Sequence, residues 1–339
     1  MGAGPAGLAS AVACRRFGLS CVLTDRRGLA QSFVEYPSAL RFFSPPDEME
    51  LGGLPLPVAG GERPTREQYL PYLRGVVRHY GLDLSTWESV VECTETDDGR
   101  YRLSTRFEPE TGTGRTITCR AVLLATGVWN EPLKLGCPGD SGANVYSEFF
   151  DPTPYTGQEV LVVGSGNSGV GAALSLAEAG AGVHLATRRP AKPGRSGLIA
   201  YMHRFLQFEI DEGTITPHPG TIVTKVTPFE VTLQPVEYTG ADEMSEGTME
   251  DYNQVGQPYT LPVRFVFALL GHRPDRAFLS GVMGLELGRD GRPVCDVSTW
   301  ETPRRNIYVV GSLADQTIDL VLKLREQATE VVQRVADGS

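Results

Sequence analysis

The stretch from Glu159 to Arg189 constrains this chain most. It reads as a strand (Val160–Val163), a glycine turn, a helix (Asn167–Ala179) and a second strand (Val183–Thr187). The turn, Gly164-Ser165-Gly166-Asn167-Ser168-Gly169, is a full G-x-G-x-x-G at a strand-to-helix junction. In such a turn the first glycine permits the tight bend, the second lets backbone approach a pyrophosphate, and the third lets helix pack on strand. Phosphates then meet free N–H groups at the positive helix end. The pattern predicts a dinucleotide site built from Gly164, Ser165, Gly166, Asn167 and Ser168; a plain packing turn is the alternative. The end of the second strand selects the nucleotide. An NAD site places an acid there for the ribose hydroxyls, whereas a 2′-phosphate is met by arginine. Here stand Arg188 and Arg189 and no acid, a fork geometry suited to phosphate. The expectation is NADPH, against an ordinary solvated basic pair.

The chain of 339 residues is long enough for two domains. Its net charge of −10 disfavours nucleic acid and anionic membranes as partners. The longest apolar runs, such as Phe265–Leu270, are too short to span a bilayer. No secretory signal is visible. Cys14, Cys21, Cys93, Cys119, Cys137 and Cys295 are scattered without a C-x-x-C. That argues against a disulfide scaffold, a zinc site and a thioredoxin-type redox pair. The five histidines show no ligand spacing, so no metal is expected, and the expected compartment is the reducing cytoplasm.

A second G-x-G-x-x-G opens the chain as Met1-Gly2-Ala3-Gly4-Pro5-Ala6-Gly7, followed by a helix to about Phe17 and a strand Ser20–Thr24. Asp25 follows 18 residues after Gly7, the reach of an acid that binds an adenosine ribose. A surface turn acid is the alternative. The Gly-x-Gly-Pro-Ala-Gly form is typical of FAD sites. The strand that should precede Gly2 is missing. Either the true start lies upstream of Met1 or this unit has lost its first strand.

Residues 27–63 are irregular and rich in Pro and Gly, a composition suited to wrapping a flavin ring or to plain loop packing. Thr65 is the expected N-cap of a helix running to about His79, whose stripe Tyr69, Leu70, Leu73, Val76, Val77 and Tyr80 reads as core. Strands are expected at Ser89–Thr94, Tyr101–Arg106 and Thr116–Ala125. The last ends in Ala125-Thr126-Gly127, where a chain can cross beside a bound dinucleotide and leave its domain. After the second glycine unit, a helix is expected over Arg195–Glu209, short strands between Thr214 and Val236, and an acidic loop or hairpin over Gly240–Gln257. The strand Pro262–Leu269 leads to Gly271-His272-Arg273-Pro274-Asp275, a return crossing. The strand Arg305–Val310 ends in Gly311, and a helix over about Thr317–Val335 closes the chain. Domains are therefore expected at 1–130 and 270–339 for FAD and at 155–269 for NADPH, the second inserted in the first. The fold class is α/β with two Rossmann-like domains.

This order resembles the two-dinucleotide-domain flavoproteins, which include thioredoxin reductases and flavin monooxygenases. The resemblance sharpens at Glu35–Ser44, at Arg63-Pro64-Thr65-Arg66 and at Phe265–Asp275, which look like the YpdA family of bacillithiol disulfide reductases. It implies NADPH, FAD and a low-molecular-weight thiol disulfide as substrate. It also implies cofactor contacts at Gly2, Ala3, Gly4, Pro5, Ala6, Asp25, Arg26, Gln31, Ser32, Ser44, Val90, Ala125, Thr126, Gly127, Gly271 and Gly311. The chain departs from the family at Ala6, where family members carry the proposed redox cysteine. Cys14, two helical turns on, reads as packing. Ser312 follows Gly311 where thioredoxin reductases place Asp.

The expected activity is transfer of hydride from NADPH to FAD and on to that disulfide, with no side chain marked as acid, base or nucleophile. The alternative is a ferredoxin- or flavodoxin-type NADP reductase with a redox protein as acceptor. A further class is a protein that binds nucleotide without turnover. A monooxygenase is disfavoured, because Gly139–Phe150 lacks the histidine of that family's F-x-G-x-x-x-H pattern. Base rates favour a homo-oligomer.

Overall fold

A computed structural model describes residues 1–38, 40–59, 61–109, 112–189, 198–240, 251–315 and 321–338. The chain forms two units. Met1–Glu131 and Arg273–Ser339 make one, and Pro132–His272, inserted between them, makes the other.

In the first unit the opening glycine turn runs into the helix Pro5–Arg16, with proline at its first position, where a missing N–H costs nothing. The strand Val22–Asp25 pairs in parallel with Asp83–Thr86, and Val122–Leu124 with Ile307–Val309. Met1 and Gly2 stand between these two pairs. The Met1 ammonium donates to Leu123 O at 2.8 Å, Ala125 N–H donates to Met1 O at 2.8 Å, and Gly2 N–H donates to Thr24 O at 2.7 Å. The place of the expected first strand is thus held by two residues. Burial lowers the pKa of the Met1 ammonium.

The core of this unit gathers Leu8, Val12, Tyr69, Leu73, Val76 and Val331. The helix Arg66–Tyr80 starts as expected on Thr65. The Thr65 hydroxyl accepts from Gln68 N–H at 3.3 Å, and the Gln68 side chain accepts from Thr65 N–H at 2.9 Å, a reciprocal capping box. Tyr72 joins its buried face, and Leu70, Val77 and Tyr80 are half-buried against the same core. A three-stranded antiparallel sheet packs Glu88–Glu95, Tyr101–Phe107 and Thr116–Cys119 side by side. The single strand expected over Thr116–Ala125 is therefore two strands in different sheets. Thr116–Cys119 is an edge strand with no fully buried side chain. Val122–Leu124 has Val122 and Leu124 buried. The chain changes sheets across Arg120 and Ala121.

In the second unit a parallel sheet runs in the order Ile215–Pro219, Gly182–Thr187, Glu159–Val163, Phe265–Ala268, Val145–Tyr146. Val160, Leu161 and Val162 are fully buried, as a central strand covered on both faces requires. The helices Asn167–Glu178 and Ala200–Asp211 accompany it. A smaller antiparallel sheet is centred on Val231–Tyr238, which pairs with Thr221–Val226, Tyr252–Gln254 and Tyr259–Leu261. Of the acidic segment read as loop or hairpin, residues 241–250 lie outside the described residues, and Tyr252–Gln254 is a strand. The expected starts of two helices, at Arg195 and Thr317, also lie outside them; the described helices begin at Ala200 and Val321.

The parallel register also sets two histidines together. Ala186 lies opposite His218, so His184, two residues back on the same face, reaches it. His184 Nδ1 and His218 Nε2 are 3.0 Å apart, and His218 Nδ1 is 2.8 Å from the Tyr259 hydroxyl. Glu159 Oε2 lies 3.4 Å from His184 Nε2. Burial, and then the neighbouring His184, lower the pKa of His218. A histidine kept neutral in the fold binds fewer protons than its unfolded counterpart. Its contribution is complete above the unfolded value of about 6.5 and is lost as pH falls towards the folded value. Thermal unfolding followed from pH 8 to 5 should therefore show a falling Tm below about pH 6.5, with a shallower fall in His218→Gln. Equal slopes would mean that the pair carries no such dependence.

Candidate dinucleotide sites

Each glycine turn is shaped by what a side chain would strike. In the first unit Gly2 has φ +96°, and a Cβ on it would lie 2.3 Å from Ala125 O. A Cβ on Gly7 would lie 1.8 Å from Gly2 O. Around Gly4, by contrast, a Cβ would meet nothing within 4 Å. The first and third glycines are therefore fixed by packing, and the second faces free space at the mouth of the helix. No side chain caps the N-terminus of Pro5–Arg16, so its first N–H groups remain available to an anion. This is the cradle that a pyrophosphate requires.

Asp25 turns towards this loop. Its Oδ2 accepts from Ala3 N–H at 2.6 Å and its Oδ1 from Arg27 N–H at 2.8 Å. The carboxylate locks the loop to the strand end, and its remaining lone pairs can still accept from a ribose. Arg26 donates from Nη1 to Asp275 at 2.6 Å and from Nη2 to Asn130 at 2.8 Å. Asn130 Nδ2 in turn donates to Thr126 O and Gly127 O at 3.2 and 3.1 Å. Arg26, expected as a cofactor contact, is thus engaged in tying the Ala125-Thr126-Gly127 crossing to the residues that follow the return crossing. Gly127 and Gly271 both have positive φ, +65° and +89°. Gly311 (φ +72°) lies against Ala6, whose Cβ would be 2.7 Å from a Cβ there, and donates its N–H to buried Gln327 at 2.7 Å. Gln31 donates to Glu35 at 3.2 Å within the short helix Gln31–Val34, which also contains Ser32. Ser44 lies in the irregular segment after Phe43, and Val90 is buried in the antiparallel sheet.

The second unit repeats the pattern. Gly164 has φ +140°, and a Cβ on it would lie 2.3 Å from Leu269 O; one on Gly169 would lie 2.4 Å from Gly164 O. The helix Asn167–Glu178 begins after Gly166 without a side-chain cap. The Asn167 side chain points to Ile199, accepting its N–H at 3.0 Å. Ser165 and Ser168 flank this open end. At the end of the strand Gly182–Thr187, the Arg189 guanidinium lies 3.1 Å from the ring centre of Tyr238, and that of Arg188 lies 5.5 Å from the ring centre of Tyr252. The two rings stand side by side, their centres 5.2 Å apart. Both arginines are thus held by aromatic faces from the small antiparallel sheet. Sequence reading missed Tyr238 and Tyr252. The only available signal was that tyrosines bracket the acidic segment, and nothing in spacing ties them to residues 188 and 189.

Two nucleotide cradles of this form, one unit inserted in the other, define a flavoprotein with two dinucleotide-binding domains. The pyridine nucleotide-disulphide oxidoreductase family model matches residues 1–311. The chain belongs to that family; it is an oxidoreductase that works with FAD and NADPH. It is 28% identical over 315 residues to the bacilliredoxin reductase Bdr of Bacillus subtilis, covering 93% of this chain and 88% of that protein. It is 27% identical to a ferredoxin–NADP reductase of Thermus thermophilus, covering 80% and 72%. Among solved structures, the bacillithiol disulfide reductase Bdr (YpdA) from Bacillus cereus superposes with a TM-score of 0.87 at 25% identity, covering 100% of this chain and 98% of that one. Among the described residues no helix is long and apolar enough to cross a membrane.

Two substitutions probe the cradles. Gly7→Ala drives a methyl into Gly2 O, and the resulting backbone shift should cost about 1–3 kcal/mol and weaken FAD retention, read by the flavin-to-protein absorbance ratio after gel filtration. Arg188→Ala with Arg189→Ala should raise the KM for NADPH about tenfold or more and leave that for NADH within about twofold, read by steady-state kinetics with both coenzymes.

Proposed function

We propose that this oxidoreductase passes electrons from NADPH through FAD to a low-molecular-weight thiol disulfide. The observation that carries the reading is likeness over nearly the whole length to a bacilliredoxin reductase and to a bacillithiol disulfide reductase. When bound, the flavin accepts hydride from the nicotinamide and reduces the acceptor; the chain's part is binding and orientation.

In this reading the N–H groups of Gly4 and the first helical turn hold the FAD pyrophosphate, and Asp25, which locks Ala3 N–H, accepts from the ribose with its remaining lone pairs. Gly311 keeps the backbone close to Ala6, and the closing strand and the helix end would together hold FAD. The residues Gly164–Ser168 take the NADPH pyrophosphate. Arg188 and Arg189 bind the 2′-phosphate, their planes fixed in advance by Tyr252 and Tyr238, which lowers the ordering cost of binding.

The family's redox cysteine is absent at its own position, and Cys14 does not replace it. Position 6 is an alanine. Cys14 is buried beside Val332 and Cys21. Its hydrogen bond with the Cys21 thiol, together with burial, pushes its pKa up and keeps it protonated. Reduction of the acceptor therefore proceeds at the flavin without a thiol at position 6.

An anaerobic titration tests this. Stoichiometric NADPH should bleach the flavin spectrum of the purified protein, and bacillithiol disulfide should restore it in Ala6→Ser as fast as in the unaltered protein. Restoration by oxidised ferredoxin but not by the disulfide would replace the reading with the ferredoxin-reductase one. A protein that never bleaches would exclude both.

A further inference from the structure

The outward side of the helix Ala200–Asp211 has no role in either cradle. Met202 and Leu206 are buried in the core of the second unit. On the other side Phe205 and Phe208 stand 60% and 58% exposed, and Tyr201 is exposed one turn earlier. At about 100° per residue, Tyr201, Phe205, Phe208 and Glu212 fall in one stripe about 60° wide. Their 4-3-4 spacing is that of a coiled-coil seam. One flank of the stripe carries Arg204 and Asp211, seven residues apart and both exposed, with Gln207 between them donating to Asp211 at 2.8 Å. The other flank carries Glu209, which already accepts from the Thr214 hydroxyl. Adjacent exposed phenylalanines rimmed by polar residues mark an interaction surface.

The charges say what covers it. A two-fold axis perpendicular to the helix sets a second copy antiparallel and returns each flank to the same flank of its mate, reversed end to end. Arg204 then faces Asp211 of the second copy, and Asp211 faces its Arg204. The same operation lays Phe205 against Phe208 of the second copy, twice. One operation thus brings both phenylalanines and both charges of this flank within reach of their mates, the two registers differing by about 3 Å along the helix, and sets Tyr201 opposite Glu212. We propose that this face is a self-association surface, on which two copies of the chain pair their Ala200–Asp211 helices antiparallel, with Phe205 and Phe208 in the seam and reciprocal Arg204–Asp211 ion pairs at its edge.

The seam is small. Three aromatic side chains per copy, each with about 100 Å² exposed, bring the paired surface to about 1,000 Å² with their neighbours, the lower limit for a specific interface. The dimer should therefore be reversible, with a Kd on the order of 10 µM.

Sedimentation equilibrium of the full-length holoprotein between about 1 and 200 µM tests this. The unaltered chain should show a monomer–dimer equilibrium. Phe205→Asp with Phe208→Asp should be monomeric throughout, with an unchanged flavin spectrum and Tm within about 3 °C, since the face is exposed. Arg204→Glu and Asp211→Arg should each weaken the dimer about tenfold, and the double exchange Arg204→Glu/Asp211→Arg should restore it to within about threefold. A chain that stays monomeric at 200 µM, or a dimer that survives the double phenylalanine change, would overturn the proposal. So would two damaging single exchanges whose combination fails to restore association, because only the antiparallel register makes them complementary.

Discussion

In both units one backbone contact fixes everything around it: the first glycine of the turn lies against the carbonyl that ends a neighbouring strand. Gly2 abuts Ala125 O and Gly164 abuts Leu269 O, each at a distance that leaves no room for a Cβ. The third glycine then abuts the carbonyl of the first. These contacts press helix, turn and strand together, and in the first unit the middle glycine, Gly4, is left facing free space. Packing thus constrains two of the three glycines in each turn.

Met1 and Gly2 supply three hydrogen bonds between two parallel strand pairs. They align Thr24 and Leu123 on either side and bring Ala125 to its place beside the turn. Asp25 completes the lock from the other direction by holding Ala3 N–H. A carboxylate that sequence reading assigns to a ligand thus also serves the loop itself. The two roles are compatible, because a carboxylate oxygen can accept more than once.

What could be read in the sequence was what local spacing encodes. Glycines at fixed offsets, Thr65 three residues before Gln68, and the run Val160–Val163 each state their structure within a few neighbours. What could not be read depended on registers between distant strands. His184 and His218 meet because Ala186 lies opposite His218. Tyr238 and Tyr252 meet the arginines because two different sheets end at the same place. The division of Thr116–Ala125 between two sheets was hidden for a related reason: an apolar run gives no sign of which sheet each half joins. The bonds of Arg26 to Asn130 and Asp275 were hidden because those partners lie 104 and 249 residues away.

The stacking of Arg188 and Arg189 on Tyr252 and Tyr238 has a consequence for inheritance. The strand end and its aromatic support come from distant segments of the chain, joined by a stretch that also carries the edge strand Ile215–Pro219 of the parallel sheet. Each guanidinium lies over a ring of the other segment, so a change at either pair disturbs its counterpart. Drift in one segment is therefore judged against the other. Coenzyme preference in such a lineage should change in paired steps, with the aromatic positions altering alongside the basic ones and seldom before them.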